Sequence, residues 1–102
     1  MRAPLKTVLS ISVLAMAGAW TTQAAAADPG LCRDYAHTAE HQVRAAHEDM
    51  RCERAVAENP ARWTGDYDAH YSWCLGAKTK DVERERNARR ATLEHCLPDR
   101  RW

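Results

Sequence analysis

The chain has 102 residues, of which 15 are Lys or Arg and 14 are Asp or Glu, giving a formal net charge of +1 with histidine neutral. This near-balance lacks the basic surface typical of nucleic-acid binding and the polybasic patch that binds anionic membranes. We therefore expect neither nucleic acid nor a membrane surface as a partner.

An export signal is predicted at the start of the chain. Two basic residues precede an apolar run at 8–19, and alanines occupy 24–27. These are the features of a secretory signal peptide, and the run is shorter than the roughly 20 residues of a membrane span. An uncleaved amphipathic anchor is the alternative. We predict a signal peptide over 1–27, no stable membrane insertion after its removal, and a bacterial periplasmic or secreted location. The candidate cleavage positions follow Ala25, Ala26 and Ala27.

Cysteines are expected to stabilise the mature domain. Removal of 1–27 leaves 75 residues with 13 basic and 14 acidic side chains, few large aliphatics and no Phe. So small a core rarely suffices alone, and exported domains compensate with disulfides. Cysteines 20, 22 and 22 residues apart do not match the close pairs of structural zinc sites, so we predict two bridges. The four cysteines are Cys32, Cys52, Cys74 and Cys96.

A long first helix is predicted from Leu31 to about Glu58. Asp28 can cap it, with Pro29 at the first helical position. Apolar residues then recur every three or four positions, which is typical of one helical face. The Asn-Pro pair at 59–60 ends the segment, because a residue before proline avoids the α region.

Two shorter helices are predicted after a loop. The second runs from about Gly65 to Leu75, with Thr64 or Asp66 as its cap and Gly76 just beyond its end.

The third helix is predicted from about Asp81, its expected cap, to Cys96. Its sparse inner face carries Val82, Leu93 and Leu97, with Ala88 or Arg89 between them. Residues 98–102 are expected to form a tail in which Trp102 contributes little to stability.

Helix length restricts the bridge pairing. An intact first helix holds Cys32 about 30 Å from Cys52, whereas bridged Cα atoms lie within about 7 Å. If the chain after the first helix runs back antiparallel to it, Cys74 lies level with Cys52 and Cys96 lies level with Cys32. We therefore predict nested bridges, Cys32–Cys96 and Cys52–Cys74. The two cysteines of the first helix lie about 200° apart around its axis, so either this helix bends near Cys52 or the short helix docks on another flank.

The predicted fold class is an all-α, disulfide-stapled antiparallel helical hairpin with a short intervening helix, three helices in all. The domain is expected to span 28–97.

One segment resembles a known pattern. Residues 62–74 read R-W-x3-Y-x2-H-Y-x-W-C, and the flanking Cys32-x2-Tyr35-Ala36 and Leu93-x2-Cys96 are similar too. Together they resemble an uncharacterised family of small exported bacterial proteins with four cysteines. The resemblance covers most of the mature chain and implies a helical periplasmic or secreted domain, with no transferable activity. The stretch at 52–62 is longer than the resemblance implies and lacks the glycines that the family pattern has at this turn. The conformation of this loop is therefore left open.

Aromatic residues cluster around the second helix. This cluster either fills the core or forms a recognition patch for a peptide, a glycan or a partner helix. The core interpretation implies that Trp63 and Trp73 are at least half buried. The candidate patch comprises Trp63, Tyr67, His70, Tyr71 and Trp73.

A second candidate site lies on the first helix. His37 and His41 are four residues apart, close to Asp34, and could bind Zn, Cu or Ni. A solvated polar face is the simpler interpretation, although the nested pairing would also place His95 near this end. Glu83 and Glu85, among arginines, are interpreted as another solvated, ion-paired face.

No enzyme is predicted. The cysteines are assigned to bridges, and the C-x-x-C motifs of redox and haem proteins are absent. No Ser occurs with a His and an Asp in a recognisable catalytic-triad pattern. The sequence instead favours a non-catalytic binding or accessory module without a cofactor, whose partner is an unknown protein or a cell-envelope component. A periplasmic metal-binding protein using the surface histidines is the alternative.

Overall fold

The structure, a computed structural model, describes residues 26–102, so all but the last two residues of the predicted signal peptide lie outside the described residues. Within this part the chain is 74% helical and contains no strand. Its α-helices are α1 Pro29–Glu48, α2 Glu53–Glu58, α3 Tyr67–Gly76 and α4 Thr79–Cys96, with a 3₁₀ turn at Met50–Cys52. The predicted all-α, disulfide-stapled class is confirmed, although the described residues form four α-helices rather than three.

The additional helix arises from a break at Asp49. Asp49 adopts an extended conformation with φ −125° and ψ 122°, and its side chain accepts a hydrogen bond from the Arg51 amide. Aspartate favours such positions because its carboxylate can bond to nearby backbone amides in place of the helical pattern. The predicted continuous helix to Glu58 is therefore wrong, and the chain bends just before Cys52.

Side-chain caps set the starts of α1 and α3. The Asp28 carboxylate accepts a hydrogen bond from the Leu31 amide at 2.8 Å, which confirms the predicted cap. Of the two caps considered for α3, Asp66 fills this position and accepts from the Asp68 amide at 3.0 Å.

The boundary between α3 and α4 differs from the prediction. Gly76 is the last residue of α3 rather than the residue beyond it, and no glycine among the described residues has a positive φ. Helix α4 begins at Thr79, so Asp81 lies in its first turn and does not cap it. An isolated antiparallel bridge joins Lys78 in this boundary to Ala26.

The disulfides are Cys32–Cys74 and Cys52–Cys96, so the predicted nested pairing is wrong. The prediction placed the short helix beside Cys52. Instead, segment 53–66 leads the chain back along α1, and α3 packs antiparallel to it with Cys74 beside Cys32. Helix α4 then runs parallel to α1 and ends beside Cys52.

Two apolar clusters form the core, one around each bridge. The Cys32–Cys74 end contains Ala27, Cys32, Tyr35, Cys74 and Val82. The Cys52–Cys96 end contains Val43, Ala45, Ala46, Cys52, Trp63, Leu93 and Leu97, with Val56, Cys96 and Trp102 packed against it. The inner face predicted for α4 is confirmed, with Arg89 buried between Val82 and Leu93. Arg89 is buried in the interior and also lines the candidate site.

Candidate functional site

A cleft with aromatic walls opens between α1, α3, α4 and the loop that precedes α3. Its volume is about 450 Å³. Tyr35 of α1 and His70 and Trp73 of α3 provide its rings, while Arg62 and Arg89 provide its positive charges. We call this feature the α3 cleft.

Tyr35 anchors the aromatic side of the α3 cleft. Its ring is buried, and the Trp73 ring lies 5.5 Å away at an interplanar angle of 36°. The His70 ring packs edge-on against Tyr35 at 6.3 Å. Trp73 nevertheless remains 44% exposed, so one large ring is available to a ligand.

The hydrogen bond of His70 sets its orientation. His70 is buried, and its Nε2 lies 2.7 Å from the Thr64 carbonyl oxygen. A carbonyl oxygen only accepts, so Nε2 donates, and Nδ1 is left as an acceptor in the neutral ring. The loop before α3 is thereby tied to the wall of the cleft.

Two arginines share one carboxylate in the lining of the α3 cleft. Arg62 donates from Nε to Glu85 Oε1 at 2.6 Å and from Nη2 to Oε2 at 3.2 Å, a two-pronged pair. Arg89 Nη1 lies 3.7 Å from the same Oε1. Glu85 is therefore ion-paired, as interpreted from the sequence, but it lies in a partly buried charge cluster rather than on a solvated face.

Arg89 is the most buried charge of this cluster, with only 1% of its surface exposed. Its Nε donates to Gln42 Oε1 at 2.9 Å, and its guanidinium carbon lies 4.8 Å from the centre of the Tyr35 ring. Its Nη2 is buried and has no hydrogen-bond partner among the described residues. Buried donors are normally satisfied in native proteins, so Arg89 brings an unsatisfied donor to the lining of the α3 cleft.

The same surroundings act on Tyr35. Burial raises the pKa of the Tyr35 hydroxyl, and the neighbouring positive charge of Arg89 opposes this shift. Because burial disfavours the phenolate, the hydroxyl stays protonated at neutral pH and can donate a hydrogen bond.

The structure separates the five residues of the predicted patch. Trp63 is only 2% exposed and belongs to the core, whereas His70 and Trp73 line the α3 cleft. Tyr67 and Tyr71 stack on each other at 6.1 Å and lie outside the cleft lining. Trp63 and Trp73 are both at least half buried, as the core interpretation requires.

The histidines of α1 contact aromatic rings. His37 lies 5.0 Å from the Tyr67 ring and His41 lies 5.9 Å from the Trp102 ring, while Asp34 is exposed. No group of three or more His, Cys, Asp or Glu side chains within residues 26–102 is arranged to hold a metal ion. Metal binding by His37 and His41 stays a prediction, and it would need a further metal ligand beyond these two histidines.

His95 does not join the two histidines of α1. The observed pairing of Cys96 with Cys52 places it at the opposite end of α1, where it lines a surface cavity with Trp63 and Thr92. The expectation from the nested pairing is therefore wrong.

Sequence reasoning did not identify the charge cluster, although one signal was present. Arg89 occupies an inner position of the third helix between Val82 and Leu93, where an apolar residue is the usual choice. Glu85 precedes it by four residues, the spacing of a helical ion pair. Together these positions indicate a buried charge in need of partners.

No helix of the described residues combines the length and apolar character needed to cross a membrane. Comparisons with protein-family models, curated proteins and solved structures found no match for this chain. Its function is therefore inferred from the fold and the α3 cleft.

Proposed function

We propose that this protein is a small non-catalytic binding module that receives its ligand in the α3 cleft. One observation carries the proposal. Trp73 is 44% exposed directly beside a cavity of about 450 Å³. A tryptophan ring contributes a large apolar surface to binding, and small-molecule sites combine such walls with a few polar groups. Arg62 and Arg89 are the polar groups of this cleft.

The roles of the reactive groups in the cleft also support a binding role. His70 is held by the Thr64 carbonyl, and Glu85 is held by Arg62. All four cysteines are in bridges. The His70 and Glu85 side chains of the cleft and the four cysteines therefore serve the scaffold, which supports recognition rather than catalysis at this site.

Export to an oxidising compartment is part of this proposal. Two intramolecular disulfides are of the kind that persists in secreted and periplasmic proteins. The signal peptide predicted over 1–27 and the resemblance to small exported four-cysteine proteins point in the same direction. We propose a bacterial periplasmic or secreted location for the mature chain.

The proposal is tested with small aromatic compounds on the oxidised, exported protein. Phenylacetate, phenylacetamide and phenethylamine share one aromatic body and differ in charge. We expect at least one of them, at millimolar concentration, to shift the NMR signals of the Trp73 indole and the His70 ring, while those of buried Trp63 stay in place.

Trp73→Ala should abolish the ligand-induced shift of the His70 ring signals, whereas the Leu75→Ala protein should retain it. Leu75→Ala is the matched control, because Leu75 is an exposed apolar residue of the same helix outside the cleft lining. If none of the three compounds perturbs the α3 cleft, the proposed function is wrong.

A further inference from the structure

We infer that the ligand of the α3 cleft carries a single carboxylate on an aromatic or aliphatic body. This inference rests on the proposed function and specifies its ligand class. The carboxylate would bind at Arg62 and Arg89, and the apolar body would pack on Trp73.

The first reason is the balance of charge in the cleft. Among the described residues, Glu85 is the one carboxylate in the cleft lining, and it contacts the guanidiniums of Arg62 and Arg89. It is bound by two nitrogens of Arg62 and lies 3.7 Å from Arg89. One positive charge therefore remains in surplus, and a monoanion neutralises it.

The second reason is the excess of hydrogen-bond donors. Arg89 Nη2 is a buried donor without a partner among the described residues. Asn59, which also lines the cleft, accepts the Arg62 amide through Oδ1, so its amide nitrogen keeps two donor hydrogens. A carboxylate accepts up to about four hydrogen bonds and donates none. Its planar pair of oxygens also matches the guanidinium fork.

The third reason is the position of the rings. The ring centres of Tyr35 and Trp73 lie 5.5 Å apart, and the guanidinium of Arg89 packs over the Tyr35 ring. An apolar surface and a positive pole thus lie in the same cleft. A ligand with a negative end and an apolar body satisfies both, whereas a cationic ligand would meet two guanidiniums.

Isothermal titration of the oxidised protein with the same three compounds tests the charge preference. We expect phenylacetate to bind about tenfold more tightly than phenylacetamide, since a charge-assisted hydrogen bond typically contributes at least that factor. Phenethylamine should bind more weakly than either. Equal affinities for the three compounds, or a preference for phenethylamine, would overturn the inference while leaving the proposed binding role intact.

A gain of affinity provides the sharper test. Glu85→Gln removes the competing carboxylate and frees both arginines, so phenylacetate should bind about tenfold more tightly. Glu83→Gln makes the same charge change on the exposed part of α4 and should leave the affinity unchanged. A gain of affinity cannot come from misfolding. If circular dichroism shows that Glu85→Gln is folded and its affinity for phenylacetate is unchanged or weaker, the inference is contradicted.

Arg62→Gln tests the opposite effect, a loss of affinity for phenylacetate. It removes one of the two guanidiniums while Arg89 stays in place, and phenylacetate should bind about tenfold more weakly. Arg84→Gln is the matched control, because Arg84 is exposed and pairs with Asp81 outside the cleft. Circular dichroism confirms that each variant is folded, and equal affinities in the two variants would overturn the role of Arg62.

Discussion

Trp63 and Trp73 lie ten residues apart in the chain but in different surroundings. Trp63 packs in the core cluster with Leu93 and Leu97 and is 2% exposed, whereas Trp73 is 44% exposed. We predict that Trp63→Ala lowers the free energy of unfolding by about 3–5 kcal/mol, the usual cost of truncating a buried aromatic residue. Trp73→Ala should cost less than half as much. Urea unfolding of the oxidised protein measures both values, and equal losses would mean that Trp73 is a core residue after all.

At the scale of single residues, helical periodicity predicted burial where the helix was correctly placed. Tyr35 and Leu93 are buried as their spacing indicated. Met50 also followed the apolar period but is 85% exposed, because the break at Asp49 turns it away from the α1 face. Trp102 was expected to contribute little to stability from the tail, yet its ring packs beside His41. That contact depends on how α4 lies against α1, which no local pattern specifies.

The α3 cleft could be predicted only in part for the same reason. His70 and Trp73 lie in the aromatic pattern of the sequence, so both were candidates. Arg62 and Glu85 are 23 residues apart and meet only because segment 53–66 runs back along α1. A site assembled from three helices and a loop follows from tertiary packing, which local spacing does not determine.

At the scale of elements, the bend between α1 and α2 depends on an exposed charge cluster. Arg51 bonds to Asp49 at 2.9 Å and to Asp99 at 3.1 Å, which connects the bend to the end of the chain. The hydrogen bond from the Arg51 side chain holds the pKa of Asp49 below its ordinary value of 3.8. For Asp99, a backbone hydrogen bond is the larger cause of the lowered pKa, and Arg51 contributes as well.

These pKa shifts predict that the bend loosens in acid. A carboxyl whose pKa is lowered by folding contributes stability above its unfolded pKa and loses that contribution as pH falls through its folded pKa. We expect amide exchange at Arg51 and Cys52, measured by NMR at matched intrinsic rates, to lose protection below about pH 4. Asp49→Asn keeps a cap acceptor but removes the charge, so most of this pH dependence should disappear. An unchanged acid profile in the variant would assign the effect to other carboxyls.

The segment before α1 belongs to the folded domain. The Ala27 amide donates to the Ala77 carbonyl at 3.1 Å, and its methyl group packs in the cluster around Cys32–Cys74. We therefore revise the predicted end of the signal peptide from residue 27 to Ala25 or Ala26, so that Ala27 stays in the mature chain. The intact mass of the exported protein measures this. A mature chain beginning at Asp28 would contradict the prediction and would also place a positive amine at the start of α1, which its dipole disfavours.

At the scale of the whole molecule, the sequence predicted the class of fold but not the bridge pairing. Two bridges and an all-α chain followed from composition and periodicity. The pairing depends on whether segment 53–66 is a short connector or a return path along α1, and both satisfy the spacing of the cysteines. The angle of about 200° between Cys32 and Cys52 around a straight helix was the one signal against a simple hairpin. In the structure, Cys32–Cys74 joins α3 to the start of α1, and Cys52–Cys96 joins the end of α4 to the 3₁₀ turn that follows α1.

The two bridges should therefore stabilise different ends of the molecule. They span 42 and 44 residues in overlapping intervals, so the chain-entropy estimate gives about 4 kcal/mol for each. We predict similar losses in unfolding free energy for the Cys32→Ala/Cys74→Ala and Cys52→Ala/Cys96→Ala variants, measured by urea unfolding without reductant. Hydrogen exchange should distinguish them, because the first variant releases α3 from the start of α1 and the second releases the bend and the end of α4. If both variants lost protection at the same end, the two clusters would fold as one unit and the separate roles of the bridges would be wrong.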